Sequence, residues 1–406
     1  MVTGSKTVHL QRPEIDFERG WKQLSFGIHK LLKIMRTGIK KPFSYSEYSA
    51  LYANVYNLCT QKVNTGKIEA SATEILYDRY AKSISSYLQE YVIPSLRDKQ
   101  GNTLLMEAVT RWRTHQIVVK WMMKLFNYLD RYYTKHNNRD SLKEVGLKHY
   151  QVLVYDTIKD DVARALLDKI LAERNSEVID RLVMKDGVQL FIEMGLGTLN
   201  AYEKDFEAKL ILETSDFYKR ESSKWITQDS CPVYLIKAEK RLDEEHNRAK
   251  SYLHETSEGH VISTTQAQLI TNHQMELLNK ENSGLIVLLE NHRVEDLSRM
   301  FNLFARVKGL KPMANIVREY LTKKGKAIVE KHEERKEIDC KSYIEELLDM
   351  HEKYSALVTV HFEKHNLFLD ALKDAFTSFV NKKTKEYQRA NRGNSIIHRR
   401  TPFDVL

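Results

Sequence analysis

Helix breakers are scarce along this chain. Fifteen glycines and six prolines are spread through 406 residues, about one residue in twenty, where ordinary proteins carry the pair at roughly 12%. So few turn-formers require long helices joined by short connections. Hydrophobic spacing agrees from the start of the patterned region at Asp16: Trp21, Leu24, Ile28, Leu31, Leu32 and Met35 recur mostly three and four residues apart, which places them on one helical face. No period-two alternation bounded by turn residues is sustained, so strands are not expected. The expected fold class is all-α. No short repeat of about 20–50 residues is visible, which argues against an ordinary solenoid. About 15 helical segments would fit three units of roughly 120 residues each.

A second helix is marked by Ser44 and Glu47. Their spacing is that of a capping box, in which the serine hydroxyl accepts from the third helical N–H and the glutamate reaches back. A stripe of Tyr48, Leu51, Tyr52, Val55, Tyr56 and Cys59 follows. The region 104–135 reads as a strong helix whose centre, Ile117 to Tyr133, is apolar on nearly every side, so more than one face must be covered. Amphipathic helices are expected over Leu147–Ile170 and Val178–Leu196, and one long helix or two joined over Tyr202–Gln228. Pro232 suits a first helical turn, where its missing N–H has no partner to lose. The helix it opens carries Tyr234, Leu235, Ala238, Leu242 and Ala249, with Glu244 and Arg248 spaced for an i,i+4 pair. Ser342 and Glu345 form a second capping-box pattern ahead of Leu347, Leu348 and Leu357. The first residues, 1–15, and the basic stretch 384–406 read as loose ends.

Composition limits the function classes. Hydrophobic residues make up 42% and charged residues 29%, the balance of a globular chain. The net charge is +9 with a pI of about 9.1, yet basic and acidic residues are interspersed, the pattern of solvated helix surfaces. Cys59, Cys231 and Cys340 are far apart and form no CxxC pair, so neither a zinc nor a redox site is suggested. They read as reduced thiols. MVTGSKTVHL contains no apolar stretch of a signal peptide, and runs such as Leu285–Leu289 are too short to cross a bilayer. A cytoplasmic or nuclear location, with no membrane partner, is expected. Catalytic patterns are missing: no GxxxxGK[ST] or GxGxxG loop, no HExxH pair, no GxSxG elbow. The glycines of 194–199 (MGLGTL) read as a helix end and loop, and Asp243, Glu244 and Glu245 as an exposed acidic face. The chain is expected to bind rather than to catalyse, with no cofactor, no metal and no catalytic residue.

Two segments carry a family resemblance. YSALYANVYNLCT, from Tyr48 to Thr60, resembles the second helix of cullins, which has the form Y-x-x-L-Y-x-x-V-Y-N-x-C-T. NYLDRYY, from Asn127 to Tyr133, is similar to the end of the fifth cullin helix. ESSKW at Glu221–Trp225, the stretch Tyr234–Arg241, YLH at Tyr252–His254, EDLSRM at Glu295–Met300, MHEKY at Met350–Tyr354 and FVNK at Phe379–Lys382 follow in the order of further cullin landmarks. The likeness spans about residues 16–383 and is to the plant-like members of SCF-type ubiquitin ligases. It implies an elongated stalk of three five-helix cullin repeats, here 16–144, 145–265 and 266–383. It also implies that the second and fifth helices of the first repeat hold the SCF adaptor that carries F-box substrate receptors. Tyrosine stripes are more often core than interface, although tyrosine is favoured in interface anchors. With the resemblance, Tyr48, Tyr52 and Tyr56 are expected at the adaptor, with Leu51 and Val55 beside them, and Met122, Phe126 and Tyr133 on the fifth helix. The cullin-associated exchange factor is a further candidate partner. The cullin-homology region that binds a RING-box protein is not matched, so that partner is not expected for this short chain, which would then be a fragment or a competing form. Two other readings stand beside this one. A helical tethering rod shares the composition, and a basic nucleic-acid binder would use Lys385, Arg389, Arg392, Arg399 and Arg400.

Overall fold

The computed structural model describes residues 16–37, 43–60, 72–333 and 340–391. Helices account for nearly all of them, and no strand occurs among the described residues, in agreement with the all-α expectation. The order is α1 (Phe17–Thr37), α2 (Tyr45–Thr60), α3 (Ala72–Tyr87), α4 (Ile93–Leu96), α5 (Gly101–Leu125), α6 (Leu142–Tyr150), α7 (Asp156–Arg174), α8 (Arg181–Met194) and α9 (Asn200–Tyr202). It continues with α10 (Ala208–Gln228), α11 (Cys231–Tyr252), α12 (Glu255–Leu269), α13 (Gln274–Leu278), α14 (Leu285–Glu290), α15 (Val294–Arg306), α16 (Leu310–Glu333), α17 (Cys340–Val360) and α18 (Asn366–Asn391). Among the described residues, π-helical turns at Leu88–Val92, Leu129–Thr134, Gln151–Tyr155 and Glu203–Glu207 break up otherwise continuous helix. Each widens the spiral locally and turns the side chains beyond it to a new phase.

By compactness the chain divides into two units. The first runs to Leu210 and includes Ser251–His254; the second is Ile211–Lys250 with the chain from Glu255 onward. The first unit is built around large rings. Trp112, Tyr80, Tyr150 and Phe126 are fully buried. His115 lies among them, stacked 6.1 Å from the ring of Tyr87 and 4.7 Å from that of Tyr150. Its Nε2–H donates to the Gly146 carbonyl at 3.0 Å. Gly146 is small for a reason: a Cβ there would lie 2.7 Å from Val119 Cγ2, so α6 comes closer to α5 than a side chain would allow. α6 begins at Leu142, earlier than the expected start at Leu147. It is held by a capping box in which Glu144 N–H donates to Ser141 Oγ (3.3 Å) and Ser141 N–H to Glu144 Oε2 (2.7 Å). Asp180 caps α8 by accepting from the N–H groups of Leu182 and Val183. The 194–199 segment is a turn, as expected, with Gly197 at φ 94°.

The second unit has a core drawn from α10 to α18, including Tyr218, Tyr234, Leu297, Met300, Phe304, Leu321, Phe362 and Phe368. Pro232 falls in the first turn of α11, as its chemistry requires. Four local expectations are corrected. Arg248 pairs with Glu245 at 2.6 Å rather than with Glu244, which turns to Arg241 at 2.9 Å. Glu245 is therefore not on an exposed face: it is 1% exposed and accepts from the Tyr218 hydroxyl at 2.6 Å, because a buried carboxylate needs a counter-charge and donors. Ser342 does not cap α17, which already starts at Cys340. Finally, α18 runs through Asn391, so helix continues past Thr384, where a loose end was expected. Residues 1–15 and 392–406 lie outside the described residues.

Candidate functional site

The first two helices are fixed to each other by small residues and one amide. Asn54 of α2 is buried, and its Nδ2 donates to the Gly20 carbonyl (2.8 Å) and to Gln23 Oε1 (3.2 Å) of α1. Two turns along α1, a Cβ on Gly27 would meet both δ-carbons of Leu51 at 2.8 Å, so Leu51 packs inward against α1. The start of α2 is fixed as the sequence predicts. Glu47 N–H donates to Ser44 Oγ at 3.3 Å, and Ser44 N–H donates back to Glu47 Oε2 at 2.8 Å. Lys30 of α1 forms an ion pair with the same carboxylate. Lys30 and the Ser44 donors together hold the Glu47 carboxyl down at about 2.

On the outer side of α2 the aromatic rings form a strip of two runs with α5 and the turns beyond it. Phe43 packs edge-on to Trp121 at 5.9 Å, and Trp121 packs against Tyr48 at 6.5 Å. Tyr48 stacks on Tyr52 at 6.4 Å. Tyr56 meets Tyr128 edge-on at 4.9 Å, and Tyr128 lies 4.5 Å from Tyr132. The Lys124 ammonium sits 5.0 Å from the centre of Trp121, a cation over the negative face of the ring. The Tyr48 hydroxyl donates to the Lys124 carbonyl at 3.2 Å. That carbonyl belongs to the last turn of α5. The side chain at the centre of the strip therefore also ties α2 to the end of α5. Partial burial, and secondarily the Tyr52 phenol, raise the pKa of Tyr48. All seven rings keep part of their surface open, and Tyr132 is 46% exposed. Such a surface offers rigid apolar area with hydroxyls at its edge, the chemistry of a protein-docking face. It offers no nucleophile: burial pushes the nearby Cys59 thiol up to about 12.

The structure brings only some of the expected contact residues to this face. Tyr48, Tyr52 and Tyr56 are on it, half-buried. Leu51 is half-buried and turned toward α1. Val55 and Phe126 are 0% exposed, Met122 1% and Tyr133 9%. Packing within the chain covers these four: Phe126 lies 5.4 Å from Tyr80, and Tyr133 5.7 Å from Tyr77. They back the face rather than form it. Phe43, Trp121, Tyr128 and Tyr132 belong to the strip and were not among the expected residues.

Comparison with known proteins agrees with the motif order. A family model described as the cullin alpha solenoid domain matches residues 21–396. The match runs past Thr384, where the resemblance had been expected to stop. Cullin-1 of Oryza sativa subsp. japonica is 39% identical over 384 residues, covering 92% of this chain and 51% of that protein. Cullin-2 of Arabidopsis thaliana is 34% identical, covering 90% of this chain and 50% of its own length. A cullin-like protein 2 of the same plant is 34% identical and is covered over 94% of its length by 88% of this chain. The chain thus spans about half the length of the two cullins. With a family match over most of its residues, the chain belongs to the cullin family.

Proposed function

We propose that this chain is the adaptor-binding arm of a cullin-RING ubiquitin ligase of the SCF type, a non-catalytic scaffold in ubiquitin-dependent protein degradation. The family match and the named cullins support the scaffold role, and the seven-ring strip is the observation that carries adaptor binding. Rigid aromatic rings resting on buried Val55, Met122 and Phe126 lose little conformational freedom on docking. The scaffold's contribution is positional: it holds the receptor module at a set place while chemistry occurs elsewhere in the complex. The division into three five-helix repeats, 16–144, 145–265 and 266–383, belongs to this proposal, as do a cytoplasmic or nuclear site of action and the exchange factor as a second partner.

The test is titration calorimetry with the purified SCF adaptor, alone and bound to an F-box protein. Replacing Tyr48 and Tyr52 together by alanine should weaken binding by about 2–4 kcal/mol if both are hot spots. A circular-dichroism melt of the same variant shows whether α2 remains folded. Unchanged affinity in a folded double variant rejects this face, and no binding by the unmodified chain rejects the adaptor reading altogether.

A further inference from the structure

A groove of about 660 Å³ lies between α1 and α3, lined by residues within 21–33 of the first and 79–91 of the segment formed by α3 and its π-helical turn. Helical geometry fixes where it sits. Around α1, Gly20 and Gly27 point to α2, while Trp21, Ser25, Ile28 and Leu32, at about 100° per residue, point to the groove. The groove therefore opens roughly 110° around α1 from the side that α2 covers. Each lining stretch covers about three and a half turns, or ~18 Å. That is an elongated site, suited to a segment of chain rather than to a small molecule.

Its floor is apolar and aromatic: Trp21, Ile28, Leu32 and Tyr91. Its rim is cationic. Lys33 and Lys82 are both exposed, and neither has an ion-pair partner among the described residues. Arg79 is held by Glu18 through two hydrogen bonds, one of 3.0 Å, and lies 5.2 Å from the Trp21 ring. It shapes the wall without offering a free charge. Glu90 is the one carboxylate among the lining residues. His29 donates Nδ1–H to the Ser25 carbonyl at 2.8 Å, leaving its Nε2 as an acceptor while neutral. An apolar floor flanked by two lysines that form no ion pair, against one carboxylate, matches an amphipathic helix with an acidic border. The chain's own first residues are a poor match, because Lys6 and Arg12 outweigh Glu14 and would meet like charge.

We propose that the α1–α3 groove is a second docking site, for an acidic amphipathic helix of a partner protein, separate from the aromatic strip. The proposal does not depend on what the strip binds. It is tested by fluorescence anisotropy with a labelled helical peptide of about four turns, with leucines along one face and glutamates on its flanks. A peptide with lysines in place of the glutamates serves as comparison. The full chain should bind the glutamate peptide and not the lysine peptide. Lys33→Glu with Lys82→Glu should weaken the glutamate peptide at least about tenfold and admit the lysine peptide, while Tyr48→Ala with Tyr52→Ala should leave both results unchanged. The charge-reversed pair lies on exposed positions, so its thermal melt should match that of the unmodified chain.

Failure of both peptides to bind overturns the proposal. So does equal affinity of the glutamate peptide for the unmodified and charge-reversed chains. Sedimentation of the chain without peptide supplies the remaining outcome. A dimer that the charge reversal dissolves would assign the groove to a second copy of this chain and overturn the partner-helix reading.

Discussion

His115 is a titratable group placed where it cannot readily accept a proton. It is fully buried between Tyr87, Trp112 and Tyr150. Burial is the main cause of its pKa falling to about 4, and the hydrogen bond to Gly146 only partly opposes it. In the unfolded chain it would titrate near 6.5. The folded state binds the proton more weakly, so its contribution is complete above about pH 6.5 and declines as pH falls from there toward 4. At about 1.4 kcal/mol per unit the loss approaches roughly 3 kcal/mol. Urea unfolding between pH 7 and 4.5 should show this slope in the unmodified chain and a shallower one in His115→Gln, whatever the variant's absolute stability. Equal slopes would mean that other groups dominate. The same scale explains why part of the docking face was hidden in the sequence. Met122, Phe126 and Tyr133 form one apolar stripe, and Trp121, Tyr128 and Tyr132 form the one beside it. Periodicity alone does not rank two adjacent stripes on a helix apolar nearly all round. The available signal was Lys124, which falls on the Trp121–Tyr128 stripe and has to reach water.

At the scale of elements, caps were the most legible feature, because a capping box depends on residues only three apart. Ser44 and Glu47 form the box that their spacing predicts. Ser44→Ala should remove the acceptor for Glu47 N–H and lower stability by about 0.5–2 kcal/mol, measured as a shift in the denaturant midpoint. Adaptor affinity should fall as well, since α2 carries Tyr48 in its first turn. The Glu47 carboxyl, held at about 2 by Lys30 and the Ser44 donors, should keep its charge well below the usual carboxylate range. Its support is present above pH 4.5 and is lost only as pH falls through about 2; a carboxyl-carbon NMR titration reads this directly. A Glu47 midpoint near 4 would show that the box and the ion pair are not formed in solution. Ser342 shows the limit of the same rule. The pattern is present, but α17 starts upstream at Cys340, so the spacing marks a possible start without excluding an earlier one. The π-helical turns had no visible signature, since they arise where packing forces an extra residue into a helix. One of them, Leu129–Thr134, ends the strip and sets the phase of Tyr132 against Tyr133.

At the scale of the whole molecule, scarcity of breakers and sustained helical spacing were enough for the fold class, because those properties are averaged over hundreds of residues. The ordered motifs were enough for the family. Charge balance was informative only in part. A net charge of +9 suggests an anionic partner, yet many surface cations are matched locally, as in Arg113–Asp186, Lys148–Asp140 and Lys209–Asp160. Lys33 and Lys82 at the α1–α3 groove are among the described cations without an ion pair. Two surfaces of opposite chemistry on one chain should respond differently to salt. Raising ionic strength from about 0.1 to 1 M shortens the screening length from about 10 to 3 Å. Binding at the aromatic strip rests on buried apolar area, so adaptor affinity should change by less than about threefold. Binding of the glutamate peptide at the groove rests in part on exposed ammonium groups and should fall by about tenfold or more over the same range. Calorimetry of both ligands on the same preparation measures the two slopes. A steep slope for the adaptor would move the main docking energy from the tyrosines to surface charge, and a flat slope for the peptide would remove Lys33 and Lys82 from its site.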